Sequence, residues 1–362
     1  MTIEKFTNDF PLANHSTYLN TAASGLMYES LMEWRQGQDI DYLISGSKLR
    51  DSAGKRIEEI RKTVAGFFDA DVESTMLVPN FSFGLKTFVN GINKKKKVLL
   101  LEEDYPSVNW PFLSGGFDKV SFVKVDRDLE NRIEEAFKTD EPDIFAFSIV
   151  QYISGVKIDL NFIKQLKKDY PEVIFLADGT QYCGTEAFSF KDSGIDVLGS
   201  SCYKWLLSSY FNGFMLFSER MSEMLFPDSF AFEPLPEPFL EGKNHLMYHF
   251  EPGHLDTLTL GSLNFSLQQF STIGMEVIQD YLKELSVYAK ERLSELKVIS
   301  EEVCSRKEHS TIFNLEIDNK MVGAMKSRDI IFSMRGKGAR VSFHIYNSKK
   351  DVDKLANILK HQ

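Results

Sequence analysis

An α/β fold with a mainly parallel sheet is predicted by two features of the sequence. Short apolar runs without polar alternation recur, as in Val98 to Leu101, Ile144 to Val150 and Val173 to Ala177, and helix-like segments separate them. A strand buried on both faces needs apolar residues at every position, and parallel neighbours need a crossover, which a helix supplies. At 362 residues the chain exceeds one small core, so a large unit and a smaller one are expected.

In chain order, the first helix shows Ile57, Ile60, Val64 and Phe67 on one face. Thr75 to Val78 reads as a strand, Ser82 to about Asn90 as a helix, and Lys94 to Lys97 as a solvated turn before the strand Val98 to Leu101. The run Ile144 to Val150 and the helix Asn161 to Asp169 follow, then, past Pro171, the run Val173 to Ala177. Two further runs, Ile195 to Leu198 and Phe214 to Phe217, complete this part. The tail reads as a long helical region from about Leu267 to Leu296 and strands Ile312 to Ile317 and Arg340 to Tyr346. In the last strand Val341, Phe343 and Ile345 alternate with polar residues, which predicts a sheet with one wet face. Ser348 and Asp351 have capping-box spacing ahead of a final helix carrying Val352, Leu355, Ile358 and Leu359. The expected division is a large domain over 15–266 and a small one over 267–362, the latter joined by residues 1–14.

The formal charge of -10 argues against a nucleic-acid partner, because such binding rests on clustered Lys and Arg. Met1 to Asn14 lacks the basic start and apolar block of a secretory signal, and no apolar stretch reaches the roughly 18 residues of a membrane span. Cys183, Cys202 and Cys304 are odd in number and lack metal-ligand spacing, which fits a reducing compartment and no metal site. The cytoplasm is the expected location.

Ligands of an open parallel sheet bind beyond the carboxyl ends of its strands. One run ends in Asp178-Gly179-Thr180-Gln181, where a buried carboxylate must be paired or functional; a turn or cap role is the alternative. The next element reads Gly199-Ser200-Ser201-Cys202-Tyr203-Lys204-Trp205-Leu206 and leads to Asn212-Gly213 and another apolar run. This order resembles the lysine segment of fold-type I pyridoxal-phosphate enzymes. From Tyr18-Leu19-Asn20-Thr21-Ala22-Ala23 to Arg340-Val341-Ser342 the chain resembles the class V aminotransferase family, which includes cysteine desulfurases, kynureninases and isopenicillin N epimerase-like proteins.

The resemblance implies a large domain with a mainly parallel seven-stranded sheet, a smaller α+β C-terminal domain, and pyridoxal 5'-phosphate as cofactor. It matches Lys204 to the lysine that carries the cofactor as a Schiff base, Asp178 to the partner of the pyridinium nitrogen, and Gln181 to the partner of the 3-hydroxyl. A buried carboxylate keeps the ring nitrogen protonated, and a lysine whose amine is neutralised by burial can ferry a proton. Ser82, Phe83 and Gly84 stand where relatives start a helix against the phosphate, and Ser201 approaches from the lysine segment. A helix N-cap at Ser82 without a ligand is the alternative. Tyr105 is placed to stack on the ring, and Tyr152 stands where relatives supply an Asn. Arg340 matches the arginine that grips the substrate α-carboxylate, with Arg335 as a competitor and Ala23 beside the substrate.

The chain departs from the family at Tyr203, where a His is usual, and at His254, where relatives carry a Thr that reaches the phosphate across a dimer interface. The stretch Ile330 to Ala339 contains no cysteine, which disfavours a desulfurase using a thiol there. No G-x-G-x-x-G follows a strand, and Gly54-Lys55 lacks the rest of a P-loop. The function expected from the resemblance is transamination between an amino acid or amine and a keto acid in a homodimer with shared sites. A lyase or epimerase on the same scaffold is the alternative, and a cofactor-binding protein without turnover is the non-enzymatic one.

Overall fold

The apolar runs become a seven-stranded sheet in the computed structural model of the chain, which describes residues 2–360 apart from 234–236, 238–239, 241 and 308. The strands are β1 (Thr75–Val78), β2 (Lys97–Leu101), β3 (Lys119–Val123), β4 (Ile144–Ser148), β5 (Ile174–Asp178), β6 (Val197–Ser201) and β7 (Gly213–Phe217). They lie in the order β1-β7-β6-β5-β4-β2-β3. Strand β7 runs antiparallel to both neighbours and the other pairs are parallel.

Alternate residues of each strand enter different cores, as the two-residue period of a strand requires. Leu99, Leu101, Phe145, Phe147 and Phe175 pack on one face, and Val98, Leu100, Ile144, Ala146, Ile174 and Leu176 on the other. Each of these side chains larger than alanine contributes about 1.5–3 kcal/mol when fully buried. The strand order reverses between β2 and β4, and the crevice beyond their carboxyl ends is where this topology leaves room for a ligand.

A second, three-stranded antiparallel sheet has the order β9-β10-β8, from β8 (Ile312–Leu315), β9 (Ser333–Arg335) and β10 (Gly338–Ser342). The alternation after Arg340 does not mark a wet face. Arg340, Ser342 and His344 are as buried as their apolar neighbours, because their polar atoms meet other protein segments. The Ser342 hydroxyl accepts from Ala22 N (2.9 Å), and the His344 ring reaches the carbonyl of Trp205 (2.9 Å). The strand ends at Ser342 rather than Tyr346.

The long helical region of the tail is two helices, Thr257–Ile273 and Met275–Glu295, separated at Gly274 with φ of +94°. That backbone angle suits glycine and stops the first helix. The first of these helices runs unbroken across residues 266 and 267. Ser348 and Asp351 form half of the expected capping box: Asp351 Oδ2 accepts from Ser348 N (2.7 Å) and from the Ser348 hydroxyl (3.2 Å), while Asp351 N goes to the Ser348 backbone carbonyl (3.0 Å) and not to its side chain. Residues near the N-terminus, including Phe6, Phe10 and Tyr28, pack with Phe270, Ile345 and Tyr346.

Candidate active site

Asp178 ends β5 and Lys204 follows β6, so the parallel pairing of those strands brings the two residues to one end of the sheet. Tyr105 follows β2 and Tyr152 follows β4, on either side of the point where the strand order reverses. The four line one small cavity together with Ser148, Val150, Thr180 and Gln181.

The Lys204 side chain is buried, and its Nζ makes no hydrogen bond among the described residues. It lies 5.5 Å from the ring centroids of both Tyr105 and Tyr203. The Tyr105 ring meets Tyr152 edge-on at 5.1 Å, and Tyr203 stacks on Tyr210 at 4.6 Å. Burial holds the lysine pKa below the ordinary range; Asp178 opposes this, and Arg340 and Arg335 add to it. The Asp178 carboxyl is pushed up by burial against the pull of its Thr180 hydrogen bonds, one of which comes from Thr180 N at 2.8 Å. A buried amine and a buried carboxyl are thus held close, each with its proton affinity moved toward neutrality.

Gln181 is anchored at both ends of its amide: Oε1 accepts from Trp205 Nε1 (2.7 Å) and Nε2 donates to the Ala22 carbonyl (3.0 Å). Its second amide hydrogen remains for a ligand. Ala23 follows in the same half-buried turn, its N–H bonded to the Asn20 carbonyl (2.9 Å).

At the anion end, the helix begins at Phe81 rather than Ser82, and Asn80 is its N-cap, accepting from Phe83 N (2.9 Å). Phe81 N donates to Ser201 Oγ (2.9 Å), which ties the helix start to the lysine segment. The Ser82 amide has no partner among the described residues, and its hydroxyl meets Ser107 Oγ at 2.7 Å. Gly84 has a different reason to be glycine: a Cβ there would lie 2.6 Å from the Met215 side chain, and its amide is already bonded to the Asn80 carbonyl. An anion at this helix end would therefore meet Ser82 and Ser201 before Gly84.

Arg340 donates Nη1 to the Tyr152 carbonyl (2.6 Å), its Nε is buried without a partner, and no carboxylate pairs with it among the described residues. Burial lowers its pKa to about 10, with Arg335 adding to the effect. A desolvated guanidinium lacking an acid is a ready carboxylate receptor. His254 lies apart from this cluster, on an exposed turn after Gly253. The preceding Glu251 is sealed in the core, where it forms a two-pronged pair with Arg61 at 2.6 and 2.8 Å.

Three residues of the site escaped the sequence reading. Asp104, fully buried, accepts from Ser148 N, Ser148 Oγ and Tyr105 N at 2.6–2.8 Å and so fixes the Tyr105 loop against β4. It is a carboxylate just past a strand, the same signal that singled out Asp178. Thr180 braces Asp178 and receives Ser201 N (3.1 Å). Gly25 presses on the lysine loop so closely that a Cβ would sit 2.1 Å from the Lys204 carbonyl oxygen; that contact spans the fold and leaves no local pattern.

No thiol reaches the cavity. Cys183 and Cys202 are buried with their thiols pushed up by desolvation, and the half-buried Cys304 sits beside Ser294 at 3.3 Å. Strands β9 and β10 are joined by a tight turn, Arg335 facing Gly338, with no loop to carry a cysteine over the site.

A cofactor with an anionic tail, a basic ring nitrogen and a carbonyl reactive toward amines meets a suitable group for each of these among the residues of this cluster. The aminotransferase class-V family model matches residues 17–355. An uncharacterized aminotransferase, YcbU of Bacillus subtilis, is 21% identical over 356 residues, covering 96% of this chain and 95% of that protein. A probable cysteine desulfurase of Borreliella burgdorferi is 21% identical over 398 residues, covering 95% and 92%. Among solved structures, the cysteine desulfurase of Thermococcus onnurineus superposes with a TM-score of 0.84 at 20% identity, covering 99% of this chain and 98% of that one. The cystine C–S lyase C-DES in complex with cysteine persulfide superposes with a TM-score of 0.83 at 14% identity, covering 97% and 99%.

Proposed function

The chain belongs to the class V aminotransferase family and its cofactor is pyridoxal phosphate; on that premise we propose an enzyme that transfers the amino group of a carboxylate-bearing amino acid to a keto acid. The observation that carries this reading is a buried, unbonded Lys204 amine in the cavity together with the acid-free guanidinium of Arg340, which is held behind the cavity wall by the Tyr152 carbonyl.

In this reading Lys204 holds the cofactor covalently and, once released by substrate, moves a proton at the substrate's α-carbon. Burial supports the second role by keeping the amine readily neutral. Asp178 pairs with the ring nitrogen, Thr180 holds that carboxylate in place, and Gln181 offers its spare hydrogen to the ring's hydroxyl. Ser82 and Ser201 take the phosphate, with the amide of Phe83 spent on the Asn80 cap beside them. Tyr105 covers the ring, Tyr152 and Tyr203 close the aromatic wall, and Arg340 orients the α-carboxylate with Ala23 alongside. Bound here, pyridoxal phosphate supplies the electron sink that stabilises negative charge at the α-carbon.

A C–S lyase is the second reading, favoured by the structural likeness to C-DES and to desulfurases. Transfer needs only a mobile proton and a held carboxylate; elimination also needs help for a leaving group. A desulfurase-type reading lacks its nucleophile, since no thiol reaches the cavity.

We also place the protein in the cytoplasm, where three unpaired thiols stay reduced, as a homodimer whose second copy brings His254 to the phosphate. Exposed Leu43, Ile44, Trp110 and Phe211 support an apolar contact of that kind. Sedimentation at micromolar concentration should give a dimer; a cofactor-loaded monomer would argue against a shared site.

Borohydride reduction of the loaded protein should fix the cofactor on the peptide containing Lys204, and a label on another lysine would sink the site assignment. A single turnover with amino acids should then return keto acid and the cofactor's amino form, and replacing all three cysteines should leave it largely intact. Pyruvate and persulfide from cystine, without the amino form, would move the assignment to the lyase.

A further inference from the structure

An arginine stays charged at any physiological pH, so two neighbouring arginines without an acid leave repulsion that a ligand can relieve. Arg335 and Arg340 are such a pair. The β9–β10 register sets Ser333 opposite Arg340 and Arg335 opposite Gly338. Side chains directly across a ladder, and those two residues apart, share a face, so Arg335 and Arg340 lie on one face of the hairpin. The tip of that hairpin approaches the residue that follows Tyr152 in the cavity wall: a Cβ on Gly336 would lie 3.0 Å from Ile153 Cγ2, next to the Tyr152 carbonyl that Arg340 already holds.

The exposed Arg335 guanidinium makes one hydrogen bond, to the carbonyl of its neighbour Met334 (3.0 Å), and no acid pairs with it among the described residues. This is notable in a chain with 52 acidic and 42 basic residues. Its charge reaches inward, lowering the proton affinity of both Arg340 and Lys204. The cofactor phosphate is not the missing anion in this reading, because its proposed cradle at Ser82 and Ser201 belongs to the helix start and to β6, and the side-chain hydrogen bonds of these two residues go to Ser107 and Phe81 rather than to the hairpin.

We propose that Arg335 and Arg340 form a two-point anion clamp, so that the amino acid used here carries a second carboxylate, or an equivalent anion, on its side chain. This rests on Arg340 holding the α-carboxylate and adds the substrate class. Arg340 takes the first anion and Arg335, on the same hairpin face nearer solvent, the second. Neutral amino acids would bind through Arg340 alone.

Unreactive acids test the clamp without turnover. Binding of succinate, glutarate and adipate to the cofactor-loaded protein is compared with butyrate and valerate by calorimetry. The diacid of best length should bind roughly 10- to 100-fold more tightly, the scale of one charge-assisted bond. Arg335→Gln should erase that preference while leaving monoacid binding unchanged, and Arg335→Lys should keep part of it. In turnover, Arg335→Gln should lower kcat/KM for aspartate or glutamate at least about tenfold more than that for alanine. Equal affinity for diacids and monoacids in the wild type would overturn the clamp, as would an Arg335→Gln variant with unchanged preference or with weakened cofactor retention. Amino transfer from neutral donors without preference would sink the clamp and leave the transaminase reading standing. Binding of neither kind of acid would remove the Arg340 assignment as well.

Discussion

Arg340 owes its usefulness to what it lacks. Most buried guanidinium groups are matched by carboxylates, yet this one has a backbone carbonyl at 2.6 Å and a sealed, unpartnered Nε. A planar fork can give a carboxylate two parallel hydrogen bonds, which an ammonium cannot reproduce. Arg340→Lys should therefore keep the charge and lose the geometry, costing about 2–3 kcal/mol of transition-state binding. That corresponds to roughly a 30- to 150-fold fall in kcat/KM for a carboxylate-bearing donor. Steady-state kinetics with the substituted enzyme checks it; a fall of less than about threefold would mean that the α-carboxylate is held elsewhere. The positions of Asp178 at a strand end and Lys204 just past one were legible in the sequence because each stands in an ordered motif that follows an apolar run. Asp104 and Gly25 were not, since one acts by bracing another residue's loop and the other by an approach that only the folded chain creates.

The same division between local pattern and long-range contact recurs in the elements. The strands were readable because burial on both faces demands unbroken apolar runs. The helix Glu29–Ser45 went unseen: only Leu31 on it is buried, while Ile40, Tyr42, Leu43 and Ile44 are exposed, so it shows no inward stripe. The helix Pro106–Ser114 carries Pro111 inside it, and the edge strand β3 is largely exposed. Helix Ala53–Phe67 was readable from its apolar face, but its firmest tie is polar. Arg61 meets Glu251 in a pair with side chains 7% and 1% exposed, and Glu251 Oε1 also accepts Leu77 N of β1 (2.7 Å). One carboxylate thus joins this helix, the sheet edge and the segment leading to His254. Glu251→Ala leaves a buried cation with only the Thr75 carbonyl (2.6 Å) and a strand N–H without its acceptor, which should cost about 3–5 kcal/mol. Urea unfolding of the variant measures this, and a loss under about 1 kcal/mol would show that water replaces the carboxylate at no great cost. Arg61→Met combined with Glu251→Leu should recover much of the loss by removing both charges.

Across the whole molecule, the C-terminal sheet is tied to the lysine loop through a histidine whose two nitrogens have fixed roles. His344 Nδ1 accepts the Ile345 N–H at 2.6 Å, which leaves Nε2 to donate to the Trp205 carbonyl at 2.9 Å. Trp205 in turn donates to Gln181 in the cavity wall. A second proton on the ring would abolish the Nδ1 acceptor, and burial lowers the His344 pKa from 6.5 to about 4. The unfolded chain therefore binds more protons than the native one between about pH 6.5 and pH 4, so this residue's contribution to stability falls as the solution is acidified through that window. It is fully present above pH 6.5 and levels off below pH 4, a loss on the order of 3 kcal/mol. Asp178 and Asp104, whose carboxyls burial raises, pull in the opposite direction over the acid part of the range, and His309, also lowered to about 4, adds to the loss. Comparing the wild type with His344→Gln cancels those shared contributions. The wild type's advantage in unfolding free energy should shrink by about 2–3 kcal/mol from pH 7 to pH 4.5, while remaining constant from pH 7 to pH 8.5. Because the same ring holds Trp205, the acidified wild type should also release its cofactor at a higher pH than the one at which it unfolds, followed by visible absorbance against circular dichroism. A difference between wild type and variant that stays flat across the acid range would mean that the ring is protonated in the native state, and the neutral junction would have to be abandoned.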